Sequence, residues 1–148
     1  MANPTTLEEI LNTNIDDIED TVPTPKGTYL VNVRGMPEQG VSSQKQTPFW
    51  RFQFAAIEAG EDVERSEIND AGGLQNLKLF HDFYMVDTAL PMFRDFLRDA
   101  LGLSGMPVKQ AISEAPGRQL KVHVTHRPQT GRDGKVRFRV EIDTFLAA

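Results

Sequence analysis

A chain of 148 residues, 39% of them hydrophobic, is long enough for one domain with a core of its own. It contains no cysteine, which excludes disulfides and thiolate metal sites, and no apolar run approaches the ~20 residues a membrane span requires. The net charge of −5 is unevenly spread: residues 1–25 hold six acids and no base, whereas residues 117–148 hold seven bases and three acids.

Residues 5–20 begin like a helix. Thr5 or Thr6 caps it, Glu8 and Glu9 occupy the first turn, and Leu7, Ile10, Leu11 and Ile18 form a narrow apolar stripe. Asn12, Thr13 and Asn14 weaken the pattern, and the prolines at 23 and 25 cannot continue it. The expected organisation is therefore an acidic N-terminal segment over residues 1–22, partly helical or flexible, followed by a domain over residues 23–148.

The domain opens with a strand over residues 26–34, whose Tyr29, Val31 and Val33 share one face. Residues 35–48 read as a long polar loop, a length at which loops are often functional. The second strand, over 49–57, places Trp50, Phe52 and Phe54 inward and Phe49, Arg51 and Gln53 outward. Residues 58–73 are acidic and end in Gly72-Gly73, so they read as a loop. The third strand, over 77–84, alternates Leu77, Leu79, His81 and Phe83 against Lys78, Phe80, Asp82 and Tyr84.

The period then changes. Leu90, Phe93, Phe96, Leu97, Ala100 and Leu101 recur at spacings of three and four, which predicts a helix. Asp87 or Thr88 can cap it, Pro91 suits its first turn, and Gly102 suits its end. A second short helix is expected over 107–115. The chain closes with a hairpin whose strands cover 117–126 and 135–142 and whose loop covers 127–134. Leu120, Val122 and Val124 face inward on one strand, and Val136, Phe138, Val140 and Ile142 on the other. The polar side of the hairpin is mostly basic: Lys121, His123, Arg127, Arg132, Lys135, Arg137 and Arg139.

The expected fold is mainly β with one main helix. Its order, strand-strand-strand-helix-strand-strand, is that of a five-stranded OB-fold-like barrel, here with an acidic N-terminal extension. Such barrels bind single strands on the face around their second and third strands, flanked by the loops joining strands one to two and four to five. Cations track phosphates there, and flat aromatic faces receive bases. The residues that fit these places are Lys45, Phe49, Arg51, Lys78, Phe80, Tyr84, Lys121, His123, Arg127, Arg132, Lys135, Arg137 and Arg139. Phe49, Phe80 and Tyr84 either stack on bases or are covered by the helix or a partner. Trp50 has the parity of the core.

No catalytic constellation is visible, so a non-enzymatic protein is expected. Asp16/Asp17 and Asp62/Glu64 are paired carboxylates without a nearby base. His123 and His126, three apart on a strand, point to opposite faces, and no metal or other cofactor is expected.

Four stretches, VPTPKGTYLVNV, TPFWRFQFAAIEAG, LPMFRDFLRDALGL and EAPGRQLKVHVTHRPQTGRDGKVRFRV, together covering about residues 22–142, resemble the small phage-encoded single-stranded-DNA-binding proteins of replication and recombination clusters. The resemblance implies an OB-fold and sequence-tolerant binding of single-stranded DNA. Many such proteins end in an acidic tail tipped by an aromatic that recruits partners. This chain ends in EIDTFLAA, and its acidic stretch is N-terminal instead. Asp16, Asp17, Glu19 and Asp20 are therefore expected either to compete for the basic face or to dock a replication or recombination protein. Two other readings stand beside this one: a phage module that inhibits a host system through protein contacts, and a recombination mediator or annealing accessory. A homodimer and a cytoplasmic location, with no membrane association, are expected.

Overall fold

The computed structural model describes residues 7–12, 15 and 23–148. A short helix, α1 (Leu7–Asn12), precedes the domain. Asp16, Asp17, Glu19 and Asp20, the expected partner-binding residues, lie outside the described residues. Among the described residues no helix is long and apolar enough to cross a membrane, and no cluster of three metal-ligating side chains occurs.

The protein is mainly β, with six antiparallel strands: β1 (Gly27–Val33), β2 (Glu38–Val41), β3 (Pro48–Ala59), β4 (Leu79–Tyr84), β5 (Gln119–Thr130) and β6 (Val136–Ala147). Central β1 pairs with β3 on one side, through Val33 opposite Phe54, and with β5 on the other, through Val31 opposite Leu120. Long β3 continues past β1, where it takes β2 on one edge and β4 on the other. β5 and β6 form the closing hairpin. Five of these strands, in this pairing, follow the expected OB-like order. The sheet remains open, because β4 and β6 share no hydrogen-bonded ladder. Side chains fill the seam instead: Phe145 of β6 lies 5.2 Å from the His81 ring and 5.4 Å from the Phe83 ring, both on β4.

On β1, β3, β4 and the first half of β5 the inward residues are those the alternation marked. Tyr29, Val31, Val33, Phe52, Phe54, Leu79, Phe83, Leu120, Val122 and Val124 are all buried. Tyr29 also satisfies its hydroxyl, which donates to the Pro25 carbonyl at 2.6 Å; burial raises its pKa and keeps that proton in place. Three further helices complete the domain: α2 (Arg65–Asp70), α3 (Leu90–Asp95) and α4 (Val108–Glu114). α3 runs on into a wider π turn over Phe96–Ala100 and packs against the inner face of the open sheet. Phe96 lies 5.0 Å from Phe52 and 4.6 Å from Phe83, so helix and sheet share one aromatic cluster. Gly102 ends this helix with φ +73°, where a β-carbon would strain the backbone.

Several expectations are corrected. The loop expected over 35–48 contains β2, whose residues are almost all exposed and so lack an apolar alternation to read. The 58–73 excursion contains α2, anchored by one buried side chain, Ile68. The helix α3 starts at Leu90 with Ala89 as its N-cap and no side-chain cap, so neither Asp87 nor Thr88 serves. β6 runs on to Ala147, and a register shift beside Asp143 turns Phe145 inward. Val136 and Phe138 were expected in the core but are 61% and 58% exposed, because the hairpin overruns the end of the barrel and nothing lies beneath it. Arg127 was expected in the hairpin loop. It sits in β5 instead, and the turn is confined to residues 131–135.

Candidate nucleic-acid interface

The outer face of β3 and β4 carries alternating aromatic and charged side chains in register. Phe49 stands opposite Tyr84, Arg51 opposite Asp82, and Gln53 opposite Phe80. The Phe49 and Tyr84 rings are 5.5 Å apart and tilted. The Arg51 guanidinium lies 4.8 Å from the Phe80 ring centre and 5.6 Å from that of Phe49, within cation–π range of both. Its Nε and Nη2 donate to the two Asp82 carboxylate oxygens at 2.7 and 2.9 Å. This fork holds the guanidinium plane between two rings.

The neighbouring strand supports the arrangement. Gly40 of β2 pairs with Phe49, and a β-carbon there would come within 2.3 Å of the Phe49 ring. Glycine is thus what lets the ring lie across β2. The result is a strip, Tyr84–Phe49–Arg51–Phe80, running along the face. Phe80 is its most open ring, at 52% exposed. Lys78 extends the strip past Phe80 and is exposed.

Across the open seam stands the outer face of the hairpin. A groove of about 350 Å³ is lined by Phe80, Asp82 and Tyr84 on one side, Arg139 and Glu141 on the other, and Met92 of α3 at its end. Arg127 and Arg139 face each other across the ladder and share one carboxylate, Glu141, at 3.1 and 3.7 Å. Two cations on one anion leave a local positive excess. Arg132 and Lys135 are exposed in the turn, which Gly134 permits with φ +78°. Arg137 is placed by its backbone alone, opposite Gln129.

The structure separates other expected residues from this surface. Lys121 and His123 lie toward the start of β5, six and four positions before Arg127, or roughly 20 and 13 Å at strand rise. His123 is engaged by Asp143 at 2.8 Å, and beside it Asp62, in the turn after β3, accepts from the amide and hydroxyl of Thr28 on β1. Those bonds hold the Asp62 carboxyl below its ordinary range. Lys45 sits in the turn between β2 and β3, which Gln46 closes in a left-handed conformation at φ +51°.

His81 and His126 take structural places. His81, half-buried in the seam, has its pKa lowered by desolvation, so it is held neutral. His126 Nε2 donates to the Thr24 carbonyl at 2.6 Å. Arg34 is the residue sequence reasoning missed. It follows β1, its amide donates to the Gln53 carbonyl at 2.8 Å, and its side chain joins the wall of a second cavity beside Phe80. Its outward parity and its place just after the first strand were the available signals.

No protein-family model matches the sequence, and no curated protein matches it. Among solved structures, a chain described as yeast RPA bound to ssDNA is similar at 9% identity and a TM-score of 0.35, over 99% of this chain and 89% of that one. A likeness at that TM-score adds nothing to the argument from geometry.

Proposed function

We propose that this protein binds single-stranded DNA without strong dependence on sequence, using the β3–β4 face as the floor of its site and the β5–β6 hairpin as one wall, and that it is not an enzyme. The observation that carries this reading is the Tyr84–Phe49–Arg51–Phe80 strip. It is an ordered row of ring faces interleaved with a cation, left open on an OB-like sheet where buried apolar groups would be the rule.

Bases stack on Phe80 and on the Phe49–Tyr84 pair, each contact contributing about 1–3 kcal/mol by truncation. Arg127, Arg139, Arg132 and Lys135 meet phosphates across the seam, and Lys78 does so at the strip's end. Arg51 orients the rings and is already neutralised by Asp82, so it adds little to the count of phosphate contacts. A phage origin, a place in replication or recombination, and a homodimer belong to the same proposal and rest on the sequence resemblance.

The test is a titration of a labelled oligo-dT at several salt concentrations, with duplex of equal length beside it. Tight single-strand binding that weakens linearly with log salt and exceeds duplex binding is expected. No single-strand binding at low salt overturns the reading.

A further inference from the structure

At the Phe80 end of the strip the surface drops into a cavity of about 430 Å³. Its lining is chemically unlike the rest of the face. Arg34 and Lys78 supply two cations beside the Asp82-paired Arg51, and among the described residues no carboxylate lines it. Phe80 forms one side, and the amides of Gln53, Gln75 and Asn76 form the rest of its polar wall.

The chain builds this wall deliberately in a geometric sense. Gly72 and Gly73 both take positive φ, 94° and 96°, and turn the backbone into a single 3-10 turn over Leu74–Asn76. The turn folds two amides back over the glycines. Asn76 Nδ2 donates to the Gly72 carbonyl at 2.6 Å, which fixes that side chain and leaves its oxygen over. The Gln75 amide oxygen lies 3.0 Å from where a β-carbon on Gly73 would stand, so it rests directly over that glycine. Among the described residues, no hydrogen bond occupies the side-chain amides of Gln53 and Gln75. Each therefore offers one acceptor and two donor hydrogens to whatever enters.

We propose that this cavity is a base-reading subsite. One nucleobase of the bound strand enters it, stacks on Phe80, and is read at its edge by the Gln53 and Gln75 amides, while Arg34 and Lys78 hold the flanking phosphates. Amide side chains match the mixed donor and acceptor edge of a base, and the carboxylate-free wall admits the phosphates that accompany it. The strip alone accepts any base, since every base has a π face. The subsite adds a preference at a single position. The inference rests on the single-strand binding proposed above and gives that binding a chemical selectivity.

The experiment compares affinities for short oligo-dA, oligo-dC and oligo-dT of equal length, for the intact chain and for the Gln53→Ala/Gln75→Ala variant, with circular dichroism to show that both fold alike. The intact chain is expected to favour one homopolymer over the weakest by at least about fivefold, the low end of what one good base-edge contact discriminates. The variant is expected to bind all three with that preference collapsed. Preferences that arise from strand stiffness alone survive the substitutions, so an unchanged preference overturns the proposal, as does equal binding by the intact chain. Failure of every oligonucleotide to bind is a different result, because it removes the single-strand binding itself. Arg34→Ala serves as a second variant: it is expected to weaken all three homopolymers alike and to lower the salt slope by about 0.7 of a unit for the one phosphate lost.

Discussion

The β3–β4 strip and the overrunning tip of the β5–β6 hairpin carry the same ingredients, arginine and exposed aromatic rings, under opposite conditions of support. On the strip, Phe49 is laid over Gly40, Arg51 is forked onto Asp82 between two rings, and buried Phe52, next after Arg51 in sequence, roots the strand in the core. At the tip, Phe138 has one ring neighbour among the described residues, His126 at 5.9 Å, and both strands extend past any core residue. A supported ring has little conformational freedom left to lose when a base arrives; an unsupported one must still be ordered. The difference teaches that a stacking platform is made by what lies under and beside it, not by exposure alone.

Stability breaks that comparison most sharply. Phe52→Ala is expected to cost about 3–5 kcal/mol, through the cavity it leaves among Phe83, Phe93 and Phe96. Phe138→Ala is expected to change stability by under about 0.5 kcal/mol. Denaturant unfolding of the two variants measures both, and similar values for the two would erase the distinction.

Affinity comes next. Phe80→Ala is expected to weaken oligo-dT binding by about 1–3 kcal/mol, whereas Phe138→Ala falls below the low end of that range. A larger loss at Phe138 would move the platform to the tip.

The arginines divide the same way in their salt response. Arg127→Ala/Arg139→Ala is expected to reduce the slope of log affinity against log salt by about one unit, since single strands give ~0.7 per phosphate and Glu141 already opposes one of the two charges. Glu141→Gln is expected to steepen it. Arg51→Ala lowers affinity through the loosened rings and leaves the slope nearly unchanged.

The smallest expected effect is on pH dependence. His81 is held neutral in the seam by desolvation, against the opposing pull of Asp82 and Glu141. The unfolded chain takes a proton as pH falls below the ordinary value of 6.5, and the native seam resists it. Stability contributed here is thus fully present above that pH and declines below it. His81→Phe is expected to flatten this part of the curve, read as denaturation midpoints across mildly acidic pH.

Much of the barrel was legible because one physical rule governs it. Where a strand has a core on one side and water on the other, apolar residues fall at every second place, and β1, β3, β4 and the first half of β5 obey it. The helix was legible by its own period, through Phe93, Phe96, Leu97 and Ala100. β2 and α2 were not, because the first buries almost nothing and the second buries only Ile68. Phe145 was hidden by the register shift beside Asp143, which alternation cannot anticipate. At the site, the outward parity of Phe49, Arg51, Phe80 and Tyr84 was readable. That Asp82 would claim Arg51, or that Glu141 would take Arg127 and Arg139 together, depended on cross-strand register.

Along β1, β3, β4 and the first half of β5 the sequence by itself determined which side chains face in and which face out, since that follows from local period and the exclusion of apolar groups from water. Tertiary structure alone decided which outward residues become neighbours. The closing hairpin looked like one basic surface in the sequence, but its length along β5 spreads that charge over roughly 20 Å and sets Lys121 apart from Arg127. The Phe80 cavity joins residues from three separate stretches, around positions 34, 53 and 75, which no local pattern connects. Pairing register and the meeting of chain segments distant in sequence are settled by the whole fold at once, because each depends on contacts that exist only after the barrel has formed.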